Sequence, residues 1–295
     1  MERDYIIATA STADLTDDYL KEHSIPYIKY SYTVGDDLFY DDCCEASRDK
    51  IYKDMRNGAI LTTSAINTFQ YKEFFEDLIK KENKNIIFLD MSKAMSASHK
   101  FAEEAIKELK EDYPSIKIVY VDTLCVSGGL GLLVTNVVEK YENGASFDEL
   151  LTWIEENKLK IAHRFTVDDL TYLKRGGRVS NSAALIGTLL NIKPVLYVPN
   201  EGTLLVSSKA RGRKKALSTI ISSIKSDLEG QDTNGMVFHI NHADCMSDAE
   251  FVRDSIFEAF PNIKEVSISG LGVVIGAHCG PGLLAVFYMA GIRKE

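Results

Sequence analysis

Four stretches of this chain carry side chains able to hold or transform a ligand. Thr62-Thr63-Ser64 follows a glycine-containing turn and precedes a helical pattern that opens near Asn67. Its hydroxyls either cap the free backbone donors of that helix or, beside its N-terminus, donate to a bound carboxylate or phosphate. The run from Ser92 to His99, with Ser96 and Ser98 inside it, comes directly after the apolar segment ending in Leu89-Asp90 and before a second helical pattern. Three serines within seven residues exceed the needs of one cap, and they fall where a parallel sheet places its ligand.

Gly276-Ala277-His278-Cys279-Gly280-Pro281-Gly282 sets a lone imidazole in what reads as a turn, with glycines that permit close approach. A His beside a Cys suggests zinc or a nucleophilic dyad. No further ligands stand at metal spacing nearby, and Cys279 lacks an activating base, so an imidazole that hydrogen-bonds an anion is the simpler reading. His239-Ile240-Asn241-His242-Ala243-Asp244-Cys245 looks more like a metal site, but residues three apart on a strand face opposite sides unless the strand ends between them. No metal site is expected.

Charge is segregated. Residues 174–215 hold nine Lys or Arg, among them Arg175, Arg178, Lys209 and Arg211, against the single acid Glu201. That balance of +8 in a chain of net charge −9 leaves −17 on the remainder. A concentrated positive surface on an acidic body focuses field toward an anion or an acidic partner, although solvated helix ends give the same pattern. The acidic whole excludes a general nucleic-acid binder.

The elements that must position these residues divide the chain in two. At 295 residues with 45% apolar content, two cores are expected. Short β-branched runs over 5–9, 27–34, 85–89 and 116–121 alternate with helical patterns over 47–56, 68–81, 98–111 and 126–141. This order predicts a parallel sheet with helices on both faces, an α/β domain over 1–160. After a helix over 147–157, strands are predicted over 160–167, 193–198, 203–208, 236–240, 263–269, 273–277 and 284–290. Helices over 182–190, 213–228 and 247–260 complete an α+β domain over 161–295 with a mainly antiparallel sheet.

Other classes find no support. Ser127-Gly128-Gly129-Leu130-Gly131 has Val134 where the third glycine of a dinucleotide loop belongs, and Gly270-Leu271-Gly272 reaches Gly276 one residue late. There is no phosphate-binding P-loop motif and no nucleophile elbow, which leaves a hydrolase or phosphotransferase built on Ser96 and His278 as the weaker alternative. No apolar run approaches the ~20 residues of a membrane span, and the polar N-terminus differs from a secretory signal, so a cytoplasmic protein is expected. Five cysteines without C-x-x-C spacing read as reduced thiols.

Taken in order, these motifs resemble the DegV family, which includes the fatty-acid-binding subunit of bacterial fatty acid kinase. The resemblance rests on the stretch from Thr9 to Leu15, Thr63-Ser64, the Ser92 to Ser98 run, Val121-Asp122-Thr123, the stretch from Tyr172 to Ser180, Ile192-Lys193-Pro194-Val195-Leu196, Lys209-Ala210-Arg211-Gly212, and Gly276 through Gly282. It implies a long-chain fatty acid, such as palmitate or oleate, in a tunnel between the two domains. It places the carboxylate on Thr63, Ser96 and His278, with Ser64 and Ser98 as possible additional contacts. It also implies a binding subunit without catalysis or cofactor of its own. A separate ATP-dependent kinase subunit, docked by Arg175, Arg178, Lys209 and Arg211, would make acyl-phosphate for phospholipid synthesis. The chain departs from the family's pattern at Ala10, Ala65, Ile66, Ala97 and His99; Ala97 replaces a glycine and so gives up freedom for positive φ.

Overall fold

A computed structural model describes residues 3–168, 170–179 and 191–293. The helix predicted over 182–190 lies outside the described residues. In chain order the first half comprises β1 (Tyr5–Ala10), α1 (Asp17–Glu22), β2 (Tyr27–Ile28), β3 (Ser31–Val34), β4 (Asp37–Tyr40), α2 (Glu45–Arg56), β5 (Leu61–Thr63), α3 (Thr68–Glu82), β6 (Asn85–Asp90), α4 (Ser98–Asp112), β7 (Ile118–Asp122), α5 (Gly128–Glu142) and α6 (Phe147–Asn157). The second half comprises β8 (Ile161–Thr166), α7 (Thr171–Arg175), β9 (Ile192–Tyr197), β10 (Leu205–Arg211), α8 (Arg213–Asp227), β11 (Val237–His242), α9 (Met246–Ala259), β12 (Glu265–Gly270), α10 (Val273–Cys279) and β13 (Leu284–Met289).

The strands β2-β1-β6-β7 form a parallel sheet, and β10-β9-β8-β13-β11-β12 a six-stranded sheet in which only β11 and β12 run parallel. The α/β and α+β architecture read from the sequence is therefore the one observed. β1 and β6 are apolar almost throughout because both faces of a parallel sheet are covered. Two predicted strands are corrected. Residues 27–34 make two strands, not one: the chain bends after Ile28, and β3 pairs instead with β4 and β5 in a small antiparallel sheet. Residues 273–277 are helical, not extended. The run Val273-Val274-Ile275 has strand propensity, but Gly276 lets this segment pack as a helix against the buried Tyr52 ring, and packing overrides propensity.

Helix α5 is buried from Gly128 through Val134 between the two halves. A Cβ on Gly128 would collide with Asn241 and Phe287, one on Gly129 with His163, and one on Gly131 with the Ala13 carbonyl. The glycine cluster that imitates a nucleotide loop is thus a smooth helix face on which the second sheet seats.

Arg48 joins the halves. Its side chain is 1% exposed and its guanidinium donates to the Leu15 carbonyl at 2.9 Å and to the Gly270 carbonyl at 2.8 Å. Its counter-charge comes from the Glu45 carboxylate, in contact at 3.1 Å, and from the buried carboxyls of Asp14 and Asp41 nearby. Nearby, Tyr52 donates to the Leu271 carbonyl at 2.9 Å. Both contacts fix the turn that launches α10. Arg48→Met should cost about 3–5 kcal/mol, since it leaves buried acids unpaired; urea denaturation at neutral pH measures this, with an unchanged midpoint counting against the joint.

Candidate functional site

A cleft with about 940 Å³ of unfilled space, its open mouth included, lies between the halves. Its walls come from all three sheets: Thr63 ends β5, Met95 and Ser96 follow β6, Phe165 stands on β8 and Phe287 on β13. The lining is mostly apolar, with a few polar groups gathered from separate elements.

Thr63 and His278 meet there. Thr63 Oγ1 lies 2.8 Å from His278 Nε2. Thr63 is free for this contact because α3 is capped by Asn67 and Gln70 in a reciprocal capping box, so the hydroxyls of residues 62–64 are not its caps. His278 occupies the last turn of α10 instead of an open turn. Gly176, beyond α7, approaches the imidazole so closely that a Cβ there would overlap Nδ1. Burial, then the charges of Arg178 and Arg175, lower the His278 pKa to about 4. The ring is therefore neutral at pH 7, a poor general base but a sound hydrogen-bonding group. No contact joins it to Ser96 among the described residues, and the charges around it are cationic where a catalytic triad would orient its imidazole with a carboxylate.

Ser96 lines the cleft, and its Oγ–H donates to Ser98 Oγ at 3.1 Å. Ser98 stands behind it, fully buried, accepting the Ile66 N–H at 3.2 Å; its role is to hold the β5 and β6 loops together. Ala97 has φ −79°, so the methyl that replaces glycine forfeits no needed conformation. His99 turns away to the Ser96 carbonyl, 3.0 Å from Nδ1. Ser64 and Ala65 reach the cleft from exposed positions, while Ile66 is core.

The basic residues separate. Arg178 is half-buried in the cleft wall, its Nε donating to the Met95 carbonyl at 3.2 Å and its Nη1 to the Gly176 carbonyl. Arg175 is exposed, its guanidinium 4.7 Å over the Tyr172 ring, and Lys209 and Arg211 are exposed on β10. His239 and His242 lie on one continuous strand, β11, three apart, and do not converge. Sequence reading missed His163 with Phe165, and Ala285 with Phe287, in the cleft walls. Their two-residue spacing on β8 and β13 was the available signal.

The comparisons agree with this architecture. A family model described as an uncharacterised protein of the DegV family matches residues 5–291. A DegV domain-containing protein of Clostridium perfringens is 39% identical over 292 residues, 99% of each chain. A Thermus thermophilus structure, described as fatty acid binding of a DegV family protein, superposes with TM-score 0.86 at 26% identity, covering 97% of this chain and 99% of that one. Another from Bacillus subtilis, described as DegV, a fatty acid binding protein, gives TM-score 0.83 at 25% identity over 98% of this chain and all of its own.

Because His278 binds its proton less readily when folded than when unfolded, the unfolded state takes up the extra proton between about pH 6.5 and pH 4. Its contribution to stability is intact at pH 7 and is lost as pH falls through that window. His278→Gln should reduce the stability lost between pH 7 and pH 5 by about 2 kcal/mol, as read from urea denaturation at the two pH values; an equal loss in both proteins would contradict a depressed pKa.

Proposed function

The chain belongs to the DegV family, and on that premise we propose that it binds a long-chain fatty acid in the cleft and presents the carboxylate for reaction by another protein. The observation that carries this reading is the Thr63–His278 pair, two polar groups from opposite halves of the chain meeting in an otherwise apolar cleft. Relatives described as fatty-acid binding share the fold over nearly the whole chain. An acyl tail gains about 0.8 kcal/mol for each methylene removed from water, so the tail dominates affinity. Thr63, Ser96 and His278 orient the head group, each bond to the anion contributing about 1.5–3 kcal/mol. Arg178 adds positive potential from the same wall.

In this reading the protein has no catalytic role. A separate ATP-dependent kinase subunit phosphorylates the carboxylate, and the exposed Arg175, Lys209 and Arg211 are its docking cations. Arg178 belongs with the head group and touches the partner only near the cleft. The domain boundary near residue 160 separates the two walls.

Native mass spectrometry of freshly purified protein, followed by solvent extraction, should release one fatty acid per chain; an empty protein that ignores added palmitate and oleate would overturn the reading. Thr63→Val, Ser96→Ala and His278→Ala should each weaken binding of a labelled fatty acid about ten-fold, and unchanged affinity in all three would remove this head-group site. Reversing charge with Arg175→Glu and Arg211→Glu should reduce phosphorylation by an added fatty acid kinase while leaving lipid affinity intact. Equal loss of both would indicate damage to the fold instead of to docking.

A further inference from the structure

Tyr30 sits between β2 and β3, fixed by its backbone on both sides. Its N–H donates to Ser11 Oγ at 3.2 Å and its carbonyl accepts the Asp41 N–H at 2.9 Å. The side chain is 2% exposed and lines the cleft, yet its hydroxyl has no hydrogen-bond partner among the described residues. The hydroxyls of Ser96, Ser98 and Tyr71 and the Asp90 carboxyl stand around it, outside hydrogen-bond geometry yet close enough to act on its proton. Leaving a buried hydroxyl unpaired is costly, so a polar atom arriving in the cleft is the natural means of satisfying it.

The protons nearby are already allocated. Tyr71 donates to Asp90 Oδ2 at 3.0 Å, and Tyr120 approaches the same oxygen at 3.4 Å. Asp90 Oδ1 accepts the Met91 N–H at 2.8 Å. Ser96 donates to Ser98 Oγ, which also accepts from Ile66. The Tyr30 proton is left for something in the cleft. Burial, with the Asp90 charge adding to it, pushes the Tyr30 phenol upward, so that proton stays in place at neutral pH. The acceptor that suits this wall is an anion. The polar groups lining the cleft include hydroxyls, the neutral imidazoles of His278 and His163 and the Arg178 guanidinium, while the Asp90 oxygens are engaged by Tyr71 and the Met91 N–H.

We propose that Tyr30 is a further head-group donor, its O–H bonding the carboxylate of the bound fatty acid from the side of the cleft walled by Ser96. This rests on the fatty-acid reading above and adds a donor that is protonated and held in place before the ligand arrives. The ligand-free protein carries the unpaired hydroxyl as a defect, and the complex carries it as a bond.

The test compares delipidated Tyr30→Phe with the parent chain. Phe keeps the ring and removes only the hydroxyl, so the thermal midpoint without ligand should be unchanged or higher. Affinity for hexadecanoate should fall about ten-fold or more, while affinity for hexadecanol, which presents no anion, should change much less. A lower midpoint with unchanged hexadecanoate affinity would make the hydroxyl an internal structural group and overturn the proposal. Equal affinities in the two proteins, or equal loss for acid and alcohol, would overturn it also. A parent chain that binds neither ligand would take down the fatty-acid reading together with it, whereas a parent that binds hexadecanoate beside an unaffected Tyr30→Phe sinks the Tyr30 assignment alone.

Discussion

A buried guanidinium ties the first half of the chain to the second beside the cleft. Arg48 reaches from α2 to backbone carbonyls on both sides of the joint, at Leu15 and Gly270. A cation this deep is tolerable only with counter-charge, from Glu45 in contact and two buried acids nearby, and burial in turn raises the carboxyl pKa of those two, Asp14 to about 7 and Asp41 in the same direction. Tyr52, one turn further along α2, ties the next two residues of the same corner. From that corner α10 runs seven residues and delivers His278 to Thr63.

On the other side of the joint the constraint is steric. The glycines of α5 remove side chains where Asn241, Phe287 and His163 need room, so the second sheet sits closer to the helix than any other residue would allow. His163 is one result. Its Nε2 accepts the Val126 N–H at 3.2 Å and its Nδ1 lies 3.1 Å from the Ile161 carbonyl, which fixes the neutral tautomer. Burial lowers its pKa well below the ordinary value, in keeping with that assignment. The cleft thus has two uncharged imidazoles in its walls and takes its positive potential from arginine, a charge that does not titrate in the physiological range.

The alternating strands and helices of the first half were legible because hydrophobic periodicity is local. So was the location of Ser96, since a loop after a parallel strand is a ligand position on topology alone. Residues 273–277 were illegible for the opposite reason. A β-branched run prefers extension, and what makes it a helix is Tyr52, more than two hundred positions away in sequence. Arg178 was read as surface charge because its composition is that of a basic island. Its placement in the wall follows from the Met95 and Gly176 carbonyls, which no local pattern discloses. Tyr30 was hidden within a run read as one strand, where nothing distinguishes a tyrosine that packs from one that faces a cavity.

The paired contact between Thr63 and His278 has a mechanical side. One partner belongs to a strand of the small antiparallel sheet and the other to a helix of the second half, 215 positions apart in the chain. A molecule that bonds both becomes a removable cross-link between the two halves of the chain, contributing its binding free energy to their cohesion in proportion to occupancy. By the same linkage, any event that pries the halves apart weakens the grip on the cargo. Release can then be driven by strain applied to the protein's seam as well as by competition for the cleft.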